Sequence, residues 1–351
     1  MQYVNLGRTG LKVSRLALGC GNFGGIGSMP EFFGKGESEE DAFELMDAAF
    51  YVGINLFDTA NAYGGGASEA MIGHWLASKG PAVRDQLVIS SKVFNPVGPG
   101  PNDRGLSRRH IVQQVNESLS RLGVDHLDLY LLHEPDPSTP LEETLSTMND
   151  LVHQGKVRYI GASNMPAWLT AKALWLADVH GWCRIEWIQN SYSILDRRDE
   201  VELFPLLADQ GLGFTPFSPL AGGWLTGKYR QGADYPKGSR MTLRSDPYDH
   251  LVRPHIFSGL ERLRDFAAAR GVDMATVSLA WVLSEPRVTA AIMGPRRLLH
   301  MEPGLAALEM ELTEDERQEI ASYFVCPVCD PSGGCGSGEA EDAPVRNPEE
   351  G

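Results

Sequence analysis

Short apolar runs alternate with longer stretches of helical period along most of this chain. Residues 2–15 read as a β-hairpin, with Tyr3, Val4 and Leu6 on one arm, Leu11 and Val13 on the other, and Gly7-Arg8-Thr9-Gly10 as the turn. Eight apolar runs follow: Leu16–Leu18, Ile54–Phe57, Leu87–Ser91, Leu127–Leu132, Val157–Gly161, Glu186–Ile188, Gly213–Pro216 and Thr289–Ile292. Runs this short and this apolar suit strands buried on both faces. Helical segments separate them. One opens at Ser38, with Asp41 at capping-box spacing, carries Phe43, Met46, Ala49 and Phe50, and closes at Gly53. Another opens at Ser107, carries Ile111, Val115, Leu119 and Leu122, and stops at Gly123. Further helices are predicted near 68–76, 141–153, 167–179, 200–209, 257–269 and 274–284, and a last one near 313–324, where Glu316 stands at capping-box spacing from Thr313.

Eight strands alternating with helices predict an α/β fold, a (β/α)8 TIM barrel with an N-terminal β-hairpin and extra C-terminal helices. An open doubly wound sheet is the competitor. It needs a Gly-x-Gly-x-x-Gly turn leading directly from strand to helix, whereas Gly19-Cys20-Gly21 and Gly24-Gly25 here begin a long loop. One barrel domain is expected over residues 1–325. Residues 326–351 form an acidic, Gly- and Pro-rich tail for which disorder is expected. Cys326, Cys329 and Cys335 in that tail are one short of a zinc set, so no metal is expected.

Charge narrows the function. A formal net charge of −15 argues against nucleic acid as a partner. No apolar run approaches a membrane span, and Met1-Gln2-Tyr3-Val4-Asn5 does not begin a signal peptide. Five cysteines at these spacings do not make a disulfide framework. A cytoplasmic protein with a small-molecule substrate is expected, with a homo-oligomer as the one protein partner to consider.

Polar residues stand where the apolar runs stop. Asp58 ends the second run and Tyr63 follows five residues later; Lys92 ends the third run and His133 the fourth. In a barrel these strands are neighbours, and the ends they reach form the active face, so the four side chains are able to converge. Two long loops also reach that face: 21–37, with Phe23, Phe32 and Phe33, and 228–255, with Tyr229, Tyr235, Arg240, Arg244 and Tyr248. Long loops in compact domains are often lids or binding loops. Phe32 and Phe33 are therefore expected at the substrate, with Tyr63 and His133.

From the hairpin to about residue 325, the chain resembles the aldo-keto reductase family. The motifs are Asp58-Thr59-Ala60-Asn61-Ala62-Tyr63-Gly64, Ile89-Ser90-Ser91-Lys92, Leu129-Tyr130-Leu131-Leu132-His133, Gly161-Ala162-Ser163-Asn164, Gln189-Asn190-Ser191-Tyr192 and the run Phe217 to Tyr229. The last is similar to the subgroup of aryl-alcohol dehydrogenases and potassium-channel β subunits. The resemblance implies reduction of an aldehyde or ketone, with Tyr63, Asp58, Lys92 and His133 catalytic. It implies NADPH as cofactor, with NADH the alternative. Ser163, Asn164 and Gln189 would hold the nicotinamide amide and Tyr192 would stack on its ring. Phe217, Ser218, Pro219, Leu220, Gly222, Leu225 and Lys228 would line the pyrophosphate. Gly294, Arg296, Arg297 and His300 would meet the adenosine end, although His300, Pro303 and Gly304 replace the residues usual there.

The tetrad has its own logic. A phenol with a pKa of about 10 is a poor acid at neutral pH, and a nearby ammonium favours its anion. Lys92 is expected to lower the pKa of Tyr63, Asp58 to hold Lys92, and His133 to hydrogen-bond the carbonyl oxygen. Two other functions share these features: a redox-sensing partner protein that retains its nucleotide, and an epimerase or dehydratase that uses it transiently.

Overall fold

The computed structural model describes residues 1–325, so the expectations for Cys326, Cys329, Cys335 and the rest of the tail lie outside the described residues. Strands β1 (Tyr3–Asn5) and β2 (Lys12–Ser14) pair antiparallel as the N-terminal hairpin. The main sheet comprises β3 (Leu16–Gly19), β4 (Leu56–Asp58), β5 (Val88–Val93), β6 (Leu127–Leu132), β7 (Val157–Ser163), β8 (Ile185–Gln189), β9 (Gly213–Phe214) and β10 (Ala291–Met293). These eight strands run in the order β10-β3-β4-β5-β6-β7-β8-β9, and every pairing is parallel. Between its two ends, Thr289 N–H donates to Phe214 O at 2.7 Å and Ile292 N–H to Pro216 O at 2.9 Å. The sheet curls onto itself as a (β/α)8 barrel, and the hairpin precedes it as expected.

Alternation along the strands sorts the core into two layers. One phase points inward: Ala17, Leu56, Val88, Leu129, Leu131, Trp187 and Ile292 fill the barrel with Leu6 and Val13 of the hairpin region. The other phase, including Leu16, Leu18, Phe57, Ile89, Tyr130 and Leu132, packs under the helices. The barrel floor depends on two glycines. A Cβ on Gly161 would stand 2.6 Å from the Trp187 indole, and one on Gly7 would stand 2.4 Å from Gly213 N. Both capping boxes expected from sequence form, at Ser38–Asp41 and Thr313–Glu316.

Loop 228–255 is more ordered than a plain surface connection. It holds a short helix, Arg240–Leu243, and a 3-10 turn, Asp246–Leu251, anchored by buried Tyr229, Met241 and Leu251. It reaches across the strand ends to loop 21–37. Arg240 Nη2 donates to Asn22 Oδ1 at 3.3 Å, and Arg296 bridges Glu37 Oε1 at 2.5 Å and Gly238 O at 3.1 Å.

Candidate active site

The inward phase of the strands continues into the site. Leu56 is followed two residues on by Asp58, Val88 by Ser90 and Lys92, and Leu131 by His133. An apolar barrel interior thus becomes polar at one end. Lys92 is fully buried; its Nζ donates to Asp58 Oδ2 at 2.6 Å, to Thr59 O at 2.8 Å and to Tyr63 Oη at 3.3 Å. Asp58 Oδ1 accepts from Ser90 Oγ at 3.0 Å and from Gln189 Nε2 at 2.9 Å. Tyr63 Oη lies 3.4 Å from His133 Nε2. Lys92 and His133 therefore meet at the tyrosine hydroxyl, with Asp58 joined to it through Lys92.

The electrostatics follow from burial. Desolvation pulls the Lys92 ammonium down, but Asp58 and Tyr63 outweigh it and hold it above its ordinary value. Tyr63 departs from expectation. Burial raises its pKa and the Lys92 charge only partly offsets this, so the phenol sits above its ordinary value and is fully protonated at neutral pH. His133 is held well below its ordinary value by burial and then by Lys92, so the ring is neutral. The Asn95 amide donates to His133 Nδ1 at 3.1 Å, which leaves the imidazole proton on Nε2, facing Tyr63. Sequence reasoning did not single out Asn95, because nothing in its spacing separates it from an ordinary loop residue.

Ser163 and Asn164 end β7 beside His133. Ser163 Oγ donates to Gln189 O at 2.7 Å, and Asn164, at φ 54°, donates to His133 O at 3.0 Å. Tyr192 is a correction. Its ring has no exposed area and is packed among Phe204, Phe214 and Trp281, with its hydroxyl on Glu200 and Arg317. It offers no face to a nicotinamide. Phe217, in the loop after β9, is half-buried against the barrel interior and keeps the exposed area that Tyr192 lacks. The Leu225 side chain is buried in the outer core layer, which leaves only its backbone to face a pyrophosphate.

The loop after β9 makes a cradle. Ser218 and Ala221 have positive φ, as do Gly222 and Gly223, and a Cβ on Gly222 would strike the Tyr248 ring. Pro219 is buried below and Leu220 is half-buried. Burial lowers the pKa of Lys228, and Arg240 and Arg296 lower it further. His300 is lowered by burial and then by Lys228, Arg297 and Arg296. Arg297 is exposed and Gly294 is open to solvent. This group of cations fits a phosphate-rich ligand. Arg240 was read from sequence only as a loop residue. Of the two aromatics expected at the substrate, Phe32 lies near both Lys35 and Arg244, while Phe33 packs on Gly65.

Comparison with known proteins agrees with this geometry. The model of the aldo/keto reductase family matches residues 15–323. An uncharacterized oxidoreductase of Bacillus subtilis is 38% identical over 93% of this chain and 97% of its own length. A probable voltage-gated potassium channel subunit beta of Arabidopsis thaliana is 36% identical, covering 88% of this chain and 92% of the relative. An L-glyceraldehyde 3-phosphate reductase of Escherichia coli O157:H7 is 34% identical, covering 92% of each chain. The chain belongs to the aldo/keto reductase family, and its relatives include several oxidoreductases.

Proposed function

We propose that this protein reduces an aldehyde or ketone to the alcohol with NADPH. The observation that carries the reading is the convergence of Lys92 Nζ and His133 Nε2, at 3.3 and 3.4 Å, on the Tyr63 hydroxyl. Bound nicotinamide nucleotide supplies the hydride. His133, with its proton on Nε2, donates a hydrogen bond to the carbonyl oxygen and steadies the charge that develops there. Tyr63 gives its proton to that oxygen. Lys92 stabilises the tyrosinate left behind, and Asp58 keeps Lys92 charged and aimed. The raised pKa of Tyr63 suits a donor that stays protonated until an oxyanion forms beside it.

Ser163, Asn164 and Gln189 would hold the carboxamide, with Gln189 releasing Asp58 to do so, and Phe217 would stack on the ring. Lys228 and Arg240 would meet the pyrophosphate. Among the described residues Arg297 stands free to meet a 2'-phosphate, which favours NADPH over NADH, with the exposed edge of His300 beside it, whereas Arg296 is already committed to Glu37. The test is NADPH oxidation with aromatic and aliphatic aldehydes by the native protein and by Tyr63→Phe. Stoichiometric NADPH loss that falls about 10²–10⁴-fold in the variant supports the reading. Turnover that survives Tyr63→Phe, or product formed without NADPH loss, overturns it. Nucleotide that copurifies and never exchanges would favour the sensor instead.

A further inference from the structure

Arg244 is a charged group on the rim of the cleft that the reading above leaves without a role. It follows the helix Arg240–Leu243 and is half-buried. Its Cζ lies 5.7 Å from the centre of the Phe32 ring. Its Nη1 lies 3.1 Å from the point a Cβ on Gly27 would occupy. That glycine touches the site: Gly27 O accepts the N–H of Gly64, the neighbour of Tyr63, at 2.9 Å. The next residue, Ser28, accepts at 3.3 Å from Asn95, whose amide also bonds His133. The guanidinium therefore lies beside the loop segment that contacts the neighbours of both Tyr63 and His133.

Its state differs from that of its neighbours. Arg240 is tied to Asn22, and Arg296 to Glu37 and Gly238. Among the described residues the Arg244 side chain has no hydrogen-bond or ion-pair partner, and its Nε is buried without one. A partly desolvated, unpartnered guanidinium is costly, and stacking on Phe32 offsets only part of that. Its five donors in a planar fork match a carboxylate or a phosphate.

We propose that Arg244 selects the substrate, receiving a carboxylate or phosphate carried a few atoms from the carbonyl that Tyr63 protonates. Ser28 and Asn95 offer polar contacts between the two ends. This rests on the carbonyl-reductase reading, and it adds that the preferred carbonyl compounds are anionic.

The test compares matched aldehydes: 4-carboxybenzaldehyde against its methyl ester, and 4-formylphenyl phosphate against 4-methoxybenzaldehyde. In the native enzyme kcat/KM should favour the anionic member of at least one pair by roughly tenfold to a hundredfold, the scale of a charge-assisted hydrogen bond. The pair with the larger ratio identifies carboxylate or phosphate as the group received. Arg244→Ala should bring that ratio to about one, mainly through KM, and Arg244→Lys should restore part of it. A ratio near one in the native enzyme, or one that Arg244→Ala leaves unchanged, overturns the proposal. So does an equal loss on both members with a raised KM for NADPH, which would place Arg244 at the cofactor. Calorimetric binding of 4-(hydroxymethyl)benzoate against its amide, on native protein and Arg244→Ala, needs no turnover. Arginine-dependent preference for the benzoate in a protein that reduces no aldehyde would keep the anion site and remove the reductase reading. Reduction of aldehydes with no benzoate preference would do the reverse.

Discussion

The Asp58–Lys92–His133 side of the cleft hangs on strands, and the cationic side hangs on loops. Asp58 and Lys92 lie within β4 and β5, and His133 directly follows β6. Their positions are fixed by the ladder, where Asp58 pairs with Ser90 and Lys92 with Leu131. Lys228, Arg240, Arg296 and His300 have no such frame. They sit in the segments after β9 and β10, outside the strand ladder, held by contacts such as Arg240 with Asn22 and Arg296 with Glu37. A buried ion pair needs a rigid mount, because a misplaced charge there has no water to turn to. A phosphate site near the surface tolerates adjustment and has to let its ligand in and out. The two sides should accordingly fail in different ways when broken.

The largest effect is expected from Lys92→Met. It removes the partner of a nearly fully buried carboxylate, and leaving such a charge unpaired costs about 3–5 kcal/mol of stability. Adding Asp58→Asn should recover much of that loss without recovering reduction. Urea unfolding of the two variants checks this. A Lys92→Met protein that unfolds at the native midpoint would show that the pair contributes nothing to the barrel, and the contrast drawn above would collapse.

The loop side should respond more mildly. Arg240→Ala removes one of the cations that depress Lys228, and it should weaken NADPH binding by about tenfold to a hundredfold, the scale of a charge-assisted contact. Nicotinamide fluorescence titration measures it. Binding that is unaltered would mean that the nucleotide's phosphates do not lie against this loop.

The same division decided what the sequence made legible. Residue parity carries the strand side: Leu56 to Asp58, Val88 to Lys92 and Leu129 to His133 each advance by an even number of residues from barrel filling to chemistry. The eight strands, the hairpin and both capping boxes followed from comparably local rules. Tyr192 lies beyond the end of β8, where strand alternation no longer assigns a face. Only the family motif placed it at the nicotinamide, and the ring proved to be in the core. On the loop side no period exists to read. Asn95 fixes the His133 tautomer, and Arg240 joins the cationic group, through contacts between segments remote in sequence. The direction of the Tyr63 shift was hidden for another reason. It is a balance of desolvation against Lys92, and sequence shows the charge but not the depth of burial.

The smallest effect sharpens the electrostatic part of the comparison. His133 is held neutral by burial and by Lys92, so its folded pKa lies well below the ordinary 6.5. Below about 6.5 the unfolded chain takes up a proton that the folded site refuses, and stability falls as pH falls. Above that value the contribution is fully present. The slope from one such group is at most about 1.4 kcal/mol per pH unit. His110 is buried and depressed in the same sense, so the native protein alone does not isolate His133. Urea unfolding at pH 7.5 and 5.5 should therefore be run on native protein and on His133→Gln. The acid loss should be smaller in the variant by about 1 kcal/mol. Equal losses would mean that the folded site accepts a proton on His133 after all. Its ring would then present an imidazolium to the substrate oxygen, and the neutral Nε2–H donor, together with Asn95 as the residue that sets it, would have to be abandoned.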